Sequence, residues 1–151
     1  MHVSKTALVA LLAVAGCADQ ATSIKSLADY RAEAAAVVDG ISAADSTALL
    51  DSDAVVFIDV REEDELARLG RIEGAVHVPR GILEFRIDPN STLHLEVFRS
   101  DKKVIFYCAT GGRSLLAAKL ARDMGVADPV YLEGGFSAWQ RAGGAITGNG
   151  N

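Results

Sequence analysis

The sequence predicts an α/β fold, in which a parallel central sheet is flanked by helices on both faces of a single domain. The chain of 151 residues has the length of one domain, and half of its residues are hydrophobic, which is enough for a core. Apolar runs at residues 54–58 and 104–107 have the length and the β-branched or aromatic content of strands buried on both faces. After the second run, Leu116, Leu120 and Met124 recur at helical spacing.

Residues 1–16 have the pattern of a signal peptide. Lys5 supplies a positive charge, and residues 7–15 form an apolar run that is too short to cross a bilayer as a helix. The segment ends in Val-Ala-Gly directly before Cys17, which resembles the lipobox of bacterial lipoproteins, where the cysteine is lipidated and becomes the mature N-terminus. Ordinary cleavage after residue 15 is the alternative, and it leaves Cys17 as a free thiol. We therefore predict an exported, periplasmic protein that is anchored to the membrane through a lipid on Cys17.

The remaining chain divides into a tether, a domain and a short tail. Residues 17–40 are small, polar and alanine-rich, and they are predicted as a tether with one weak amphipathic helix between residues 27 and 38. The domain is predicted at 41–146 and the tail at 147–151. The predicted elements are a strand near 38–41, a helix at 42–50, a strand at 54–58, a helix at 62–69, a strand at 74–79, short helical or irregular pieces at 82–98, a strand at 104–107, a helix from 114 to 124, a strand at 130–132 and a helix at 136–142.

Cys108 follows a predicted strand and precedes a predicted helix, where open α/β sheets place their ligands. Backbone amides of a tight loop that opens a helix form an anion-binding nest, and the glycines of this loop allow close backbone approach. Such a nest lowers the pKa of a thiol below its free value of about 8.5. We therefore expect the Cys108 sulfur to be ionised at neutral pH and open to solvent.

Arg113 lies in the first turn of the predicted helix, where a cation opposes the helix macrodipole by about 0.3–1 kcal/mol. Its position is easier to explain if the side chain faces an anion held in the loop. The simpler alternative is a buried structural cysteine with Arg113 pointing to solvent. That alternative does not explain why the loop has two glycines or why a cation stands in the first turn of the helix. The pattern thus favours Cys108 as a nucleophile and Arg113 as its catalytic partner.

Four motifs follow one another in the predicted domain: Asp-Val-Arg-Glu at 59–62, Gly-Ala-Val-His-Val-Pro at 74–79, Cys-Ala-Thr-Gly-Gly-Arg-Ser at 108–114 and Gly-Gly-Phe-Ser-Ala-Trp at 134–139. In this order they resemble the rhodanese (thiosulfate:cyanide sulfurtransferase) superfamily in its single-domain form, over roughly residues 41–146. One short pattern would be weak evidence, but four in order within one domain length are strong evidence.

The resemblance implies that Cys108 attacks the outer sulfur of a donor such as thiosulfate or a persulfide, and becomes a persulfide itself. Cyanide or a thiol then removes that sulfur, and no cofactor is needed. Arg113 would orient the anionic donor or lock the shape of the loop. The implied substrate-binding residues are Ala109, Thr110, Gly111, Gly112 and Ser114. Asp59 and Arg61 would brace the pocket, and Arg80, which follows another strand end, is predicted in its wall.

The same residues are also compatible with other functions. Ala109 stands where many thiosulfate-using relatives have a basic residue, so the resemblance implies weaker thiosulfate binding or a persulfide or polysulfide donor. Phosphatases and arsenate reductases share the Cys-loop-Arg layout with one more residue than the six positions from Cys108 through Arg113. A non-enzymatic, membrane-tethered sulfur carrier or sensing module would keep the same cysteine.

Composition argues against several other classes. The formal net charge is −5 and no basic patch is present, which argues against nucleic acid as a partner. Cysteine and histidine show no metal-ligand spacing, so no metal site is predicted. His77 lies within a predicted strand and is interpreted as a packed, hydrogen-bonded residue. If Cys17 is lipidated, Cys108 is the single remaining thiol and no internal disulfide can form, which supports a reactive role.

Overall fold

The computed structural model describes residues 24–148, so the predicted signal peptide and Cys17 lie outside the described residues. The helices are α1 (Leu27–Ala35), α2 (Ala43–Thr47), α3 (Glu63–Leu69), α4 (Leu83–Ile87), α5 (Gly112–Asp123) and α6 (Gly135–Arg141), with 3-10 turns at Arg80–Ile82 and Glu96–Arg99. The strands are β1 (Gly40–Ile41), β2 (Val55–Asp59), β3 (Arg71–Ile72), β4 (Val76–His77), β5 (Lys103–Tyr107), β6 (Val130–Leu132) and β7 (Ile146–Thr147).

Five strands form one sheet in the order β1-β6-β5-β2-β4, and every pair in it is parallel. The longest pairing aligns all of β2 with all of β5, from Val55 opposite Lys103 to Asp59 opposite Tyr107. Because parallel strands end at the same edge, the residues that follow β2, β4, β5 and β6 meet at one edge of the sheet. A separate antiparallel pair joins β3 to β7.

Successive side chains of the central strands point to opposite faces of the sheet, and they form two cores, one on each face. Phe106 of β5 packs into a cluster with the inner faces of α1, α4 and α5. Its neighbours Ile105 and Tyr107 point the other way, into a cluster that contains Phe136 and Trp139 of α6. Helices therefore cover both faces, and the predicted fold class is confirmed.

Most predicted elements are present, with shifted ends. Ser42 caps α2, because its Oγ accepts a hydrogen bond from the Asp45 amide at 3.1 Å. The helix after the cysteine loop begins at Gly112, two residues earlier than predicted, and the strand predicted at 74–79 is reduced to β4. The β3–β7 pair was not predicted, and it extends one residue into the predicted tail.

The described part of the predicted tether contains α1, which packs against α5. Ala34 is fully buried and Val38 is 5% exposed, whereas Leu27 and Tyr30 of the predicted amphipathic face are exposed. Just after α1, the Val37 carbonyl accepts a hydrogen bond from Nη1 of Arg122, a residue of α5. Of the helices described, none has both the length and the apolar character needed to cross a bilayer.

Candidate active site

The loop of residues 108–111 joins the buried strand β5 to α5 and folds back around the Cys108 sulfur. The Gly111 amide donates to Cys108 Sγ at 3.2 Å, and the Ser114 hydroxyl lies 3.7 Å from the same sulfur. The Ser114 hydroxyl also approaches the Gly111 carbonyl at 3.1 Å, which ties the first turn of α5 to the loop. Gly111 can make this turn because its φ of +99° is a conformation that favours glycine.

This cradle makes Cys108 more acidic than an ordinary thiol. Burial raises the pKa of the Cys108 thiol, but hydrogen bonds from the amide and hydroxyl of Ser114 and from the amides of Thr110 and Gly111 outweigh it. The pKa therefore lies below its usual value. The amides point inward at the sulfur, as the sequence predicts.

The expectation of a solvent-open sulfur is wrong, since Cys108 is only 1% exposed. The residue sits at the end of β5, between the core under α5 and the loop that covers it. Of the loop residues, Thr110 is exposed and Ala109 is half-buried, so these two form the outer part of the cradle. A reactant must therefore pass the covering loop to reach the sulfur.

A bend at Gly134 and Gly135, between β6 and α6, supports the loop from the other side. The Phe136 amide donates to the Cys108 carbonyl at 2.7 Å, and the Ser137 amide donates to the Ala109 carbonyl at 3.1 Å. A Cβ on Gly135 would collide with the Cys108 carbonyl oxygen and would lie 2.8 Å from the Gly111 nitrogen. A glycine is thus required here both by its φ of +57° and by the closeness of the loop.

Asp59 and Arg61 form a fully buried ion pair beneath the bend. Arg61 Nη2 lies 2.6 Å from Asp59 Oδ2 and donates a second hydrogen bond to the Gly70 carbonyl at 2.8 Å. The Arg61 guanidinium also lies 4.1 Å from the centre of the Phe136 ring. Since the Phe136 amide holds the Cys108 carbonyl, the buried pair braces the loop indirectly. Breaking a pair of this kind typically costs about 3–5 kcal/mol.

Arg113 points at Glu65, a residue on α3 that was not among the sequence-predicted site residues. Nη1 and Nη2 of Arg113 each lie 2.7 Å from a Glu65 carboxylate oxygen, which makes a bidentate pair. The bond from Arg113, against the opposing effect of burial, lowers the pKa of Glu65 to about 2, and Glu65 in turn raises the pKa of Arg113. The anion that Arg113 faces is thus a carboxylate of the protein, and the pair fastens α5 to α3.

Arg80, which was predicted in the pocket wall, lies near the site with its backbone, whereas its side chain makes its described bonds elsewhere. The Arg80 amide donates to the Val60 carbonyl at 3.3 Å, so its backbone lies at the edge where Cys108 is found. Its guanidinium pairs with Glu84 at 3.3 Å, and none of its described bonds reaches the cysteine loop.

His77 Nε2 is hydrogen-bonded to the Arg61 carbonyl at 2.8 Å, in keeping with a packing role. Within residues 24–148, no group of three or more metal-ligating side chains could hold a metal ion.

The geometry is a buried, acidified cysteine in a ring of backbone amides, supported by two ion pairs and a glycine bend. A family model for the rhodanese-like domain matches residues 42–142 of the chain. The chain belongs to the rhodanese-like family. The matched span contains every residue of the cradle and of the ion pairs around it, and α1 lies outside it.

Individual relatives of this rhodanese-like protein carry sulfurtransferase names. A putative sulfurtransferase of Bacillus subtilis is 35% identical over 83 residues, which are 55% of this chain and 71% of that protein. A sulfurtransferase of Allochromatium vinosum is 30% identical over 98 residues, which are 65% of this chain and 83% of that protein. A solved structure from Rhodopseudomonas palustris, described as a protein of unknown function and possible tyrosine phosphatase, is 43% identical, covers 83% of this chain and 97% of its own, and superposes with a TM-score of 0.80.

The Glu65 pair predicts a pH-dependent loss of stability. Glu65→Gln should lower the free energy of unfolding at pH 7 by about 1–2 kcal/mol, since it removes a charged, partly solvent-screened hydrogen-bonded pair. The folded pKa of about 2 is below the ordinary value of 4.5, so the stabilisation is present above pH 4.5 and is lost as the pH falls toward 2. Urea unfolding at pH 7 and pH 3 should therefore show a smaller difference between variant and wild type at pH 3.

The matched control is Glu73→Gln, which makes the same change at an exposed carboxylate with no hydrogen-bond partner among the described side chains. It should change the free energy of unfolding by less than about 0.5 kcal/mol at either pH. An equal loss in both variants, or a loss in Glu65→Gln that does not shrink in acid, would contradict the assigned pair.

Proposed function

We propose that the protein is a sulfurtransferase that moves a sulfane sulfur from thiosulfate or a persulfide donor to cyanide or a thiol. Cys108 is the nucleophile and carries the sulfur as a persulfide between the two half-reactions. The acidified thiol within the amide cradle is the observation that carries this proposal.

The two half-reactions balance without a cofactor. The Cys108 thiolate attacks the outer sulfur of thiosulfate, a new S–S bond forms, and sulfite leaves with the electron pair of the broken S–S bond. Cyanide or a thiolate then attacks the outer sulfur of the persulfide, which releases thiocyanate or a new persulfide and restores the Cys108 thiolate. The same amides would stabilise the thiolate, the persulfide and the charge that develops during transfer. One covalent intermediate shared by both half-reactions predicts ping-pong kinetics.

The decisive assay incubates the mature protein with thiosulfate and cyanide and measures thiocyanate. In parallel, the protein is treated with thiosulfate alone and its intact mass is determined. The expected results are turnover in the first assay and a gain of one sulfur atom in the second. Failure to form thiocyanate together with an unchanged mass, across thiosulfate and persulfide donors, would contradict the proposal.

Phosphatase activity is the second candidate, and the description of the Rhodopseudomonas palustris structure is the observation in its favour. Two features of this chain disfavour it. Arg113 already pairs with Glu65, so its charge is compensated before any phosphate binds. A phosphatase also benefits from a protonated carboxyl that donates a proton to the leaving group, whereas Glu65, with its pKa of about 2, is ionised at neutral pH. Hydrolysis of p-nitrophenyl phosphate without any sulfur transfer would reverse this preference.

A non-enzymatic sulfur carrier would share the first half-reaction. The mass gain with thiosulfate would then appear, but cyanide and small thiols would release the sulfur no faster than they react with a free persulfide. The acceptor step therefore distinguishes a carrier from an enzyme.

We also propose that a lipid on Cys17 anchors the protein to the periplasmic side of a membrane. The apolar run at residues 7–15 and the small residues directly before Cys17 support this proposal. Cys17→Ser should move the protein out of the membrane fraction of the cell, while turnover by purified protein stays unchanged. An unaltered membrane fraction would contradict lipidation, and the ordinary-cleavage alternative would instead place the wild type in the soluble periplasmic fraction.

A further inference from the structure

Arg31, an exposed residue of α1, lies beside the start of the helix that carries the cysteine loop. A Cβ placed on Gly112 would lie 3.7 Å from Arg31 Cζ and 3.9 Å from both Nη1 and Nη2. The nearly equal distances mean that the guanidinium presents its flat face to Gly112. Gly112 directly follows Gly111, whose amide donates to the Cys108 sulfur. Arg31 is therefore a cation beside the first residue of α5, directly after the cysteine loop.

The backbone of Arg31 is fixed by the packing of α1 against α5. Ala34, one turn further along α1, is fully buried, and Val38 is 5% exposed. The hydrogen bond from Arg122 to the Val37 carbonyl ties the end of α1 to α5. The backbone of Arg31 thus has a defined place next to the loop.

Three of the arginines near this edge of the sheet are compensated by carboxylates. Arg113 pairs with Glu65, Arg61 with Asp59, and Arg80 with Glu84. Arg31 has no ion-pair or hydrogen-bond partner on the side chains described between residues 24 and 148. Each of the three pairs sums to no net charge, whereas Arg31, beside Gly112, and Arg141, whose Nη2 would lie 3.8 Å from a Cβ on Gly134, are cations near the loop without a described ion-pair partner.

We propose that Arg31 is a specificity-determining residue that favours anionic sulfur donors over neutral ones. This inference rests on the proposed sulfur transfer and names the class of donor: a molecule whose negative group lies away from the sulfur that is transferred. The transferred sulfur enters the cradle at Cys108, and the charged group stays outside it, on the side where Arg31 lies. An interaction of this kind acts on the bound donor before and during transfer alike, so it lowers KM and leaves kcat unchanged.

The test compares Arg31→Gln and Arg31→Lys in the full chain, with thiosulfate as the anionic donor. Arg31→Gln should raise KM for thiosulfate about two- to fivefold, the size expected for an exposed ion pair, with kcat unchanged. Arg31→Lys should restore most of the affinity, because it keeps the charge. High salt should abolish the difference between wild type and Arg31→Gln.

Arg99→Gln is the matched control. Arg99 is also exposed and also lacks a partner on the described side chains, but it precedes β5 and therefore lies at the opposite edge of the sheet. It should leave KM and kcat unchanged. The inference is overturned if Arg31→Gln and Arg99→Gln behave alike, or if Arg31→Lys is as impaired as Arg31→Gln.

A second readout does not depend on sulfur transfer. Cys108 is alkylated with iodoacetate, which is anionic, and with iodoacetamide, which is neutral, and the Cys108 peptide is quantified by mass spectrometry. Arg31→Gln should lower the ratio of the iodoacetate rate to the iodoacetamide rate about two- to fivefold, and Arg99→Gln should not. If Arg31→Gln lowers this ratio but the protein shows no sulfur transfer, the proposed function is refuted and the attraction of anions by Arg31 is supported. Turnover with an unchanged ratio and an unchanged KM would refute only the role of Arg31.

Discussion

Cys108→Ser is expected to reduce sulfur transfer by at least about 1,000-fold, because covalent catalysis loses its nucleophile. A serine hydroxyl fits the same space and can accept the same amide hydrogen bonds, but it is not ionised near neutral pH and cannot form a persulfide. The amide cradle that acidifies Cys108 would then surround a neutral group. Thiocyanate release measures the loss, and the intact mass of the variant should not increase with thiosulfate.

The same substitution at the other cysteine provides the control. Cys17→Ser should retain full turnover and full persulfide formation, since Cys17 lies outside residues 42–142, which the rhodanese-like family model matches. Thermal unfolding should place Cys108→Ser within about 1 kcal/mol of the wild type, as the exchange nearly conserves volume. Turnover that survives in a folded Cys108→Ser protein would disprove the nucleophile assignment.

The sheet could be predicted from the sequence because its strands are buried on both faces. Such strands appear as continuous apolar runs, and β2 and β5 were both predicted to within one residue at each end. The β3–β7 pair could not be predicted in this way. It joins two dipeptides that are far apart in the chain, Arg71–Ile72 and Ile146–Thr147, and two residues are too few to show any periodicity.

In the candidate site, too, contacts between residues close together in the chain could be predicted, and contacts between distant residues could not. The cradle is formed by consecutive residues, so its glycines and cysteine were visible as one motif. The partner of Arg113 was not, because Glu65 lies 48 residues earlier in the chain. The available signal was that Glu65 lies in the helix following β2, at the strand edge that Cys108 also occupies. The burial of Cys108 was missed for a similar reason, since it depends on how the distant segment around Gly135 covers the loop.

The bend at Gly135 leads to the second large expected effect. Gly135→Ala should reduce sulfur transfer by about 100-fold, the loss associated with a displacement of roughly 1 Å at reacting groups. The new Cβ would overlap the Cys108 carbonyl oxygen and would lie 2.8 Å from both the Ala109 carbonyl carbon and the Gly111 nitrogen. These atoms are backbone and cannot rotate away, so the cradle itself must shift and the amide hydrogen bonds to the sulfur must lengthen. Turnover and the rate of Cys108 alkylation should therefore fall together.

Gly143→Ala separates this collision from simple backbone strain. Gly143 has a similar positive φ of +74°, but a Cβ there would meet nothing within 4 Å. Both substitutions should cost about 1–2 kcal/mol of stability, because both force alanine into the left-handed region, and Gly135→Ala should cost more because of the overlap. Gly143→Ala should nevertheless keep its turnover at a temperature where it is folded. If both variants lose activity equally while folded, strain transmitted through the domain accounts for the loss, and the bend does not position Cys108. If Gly135→Ala alone loses activity, the carbonyl contact between the bend and the cysteine loop sets the geometry of the cradle.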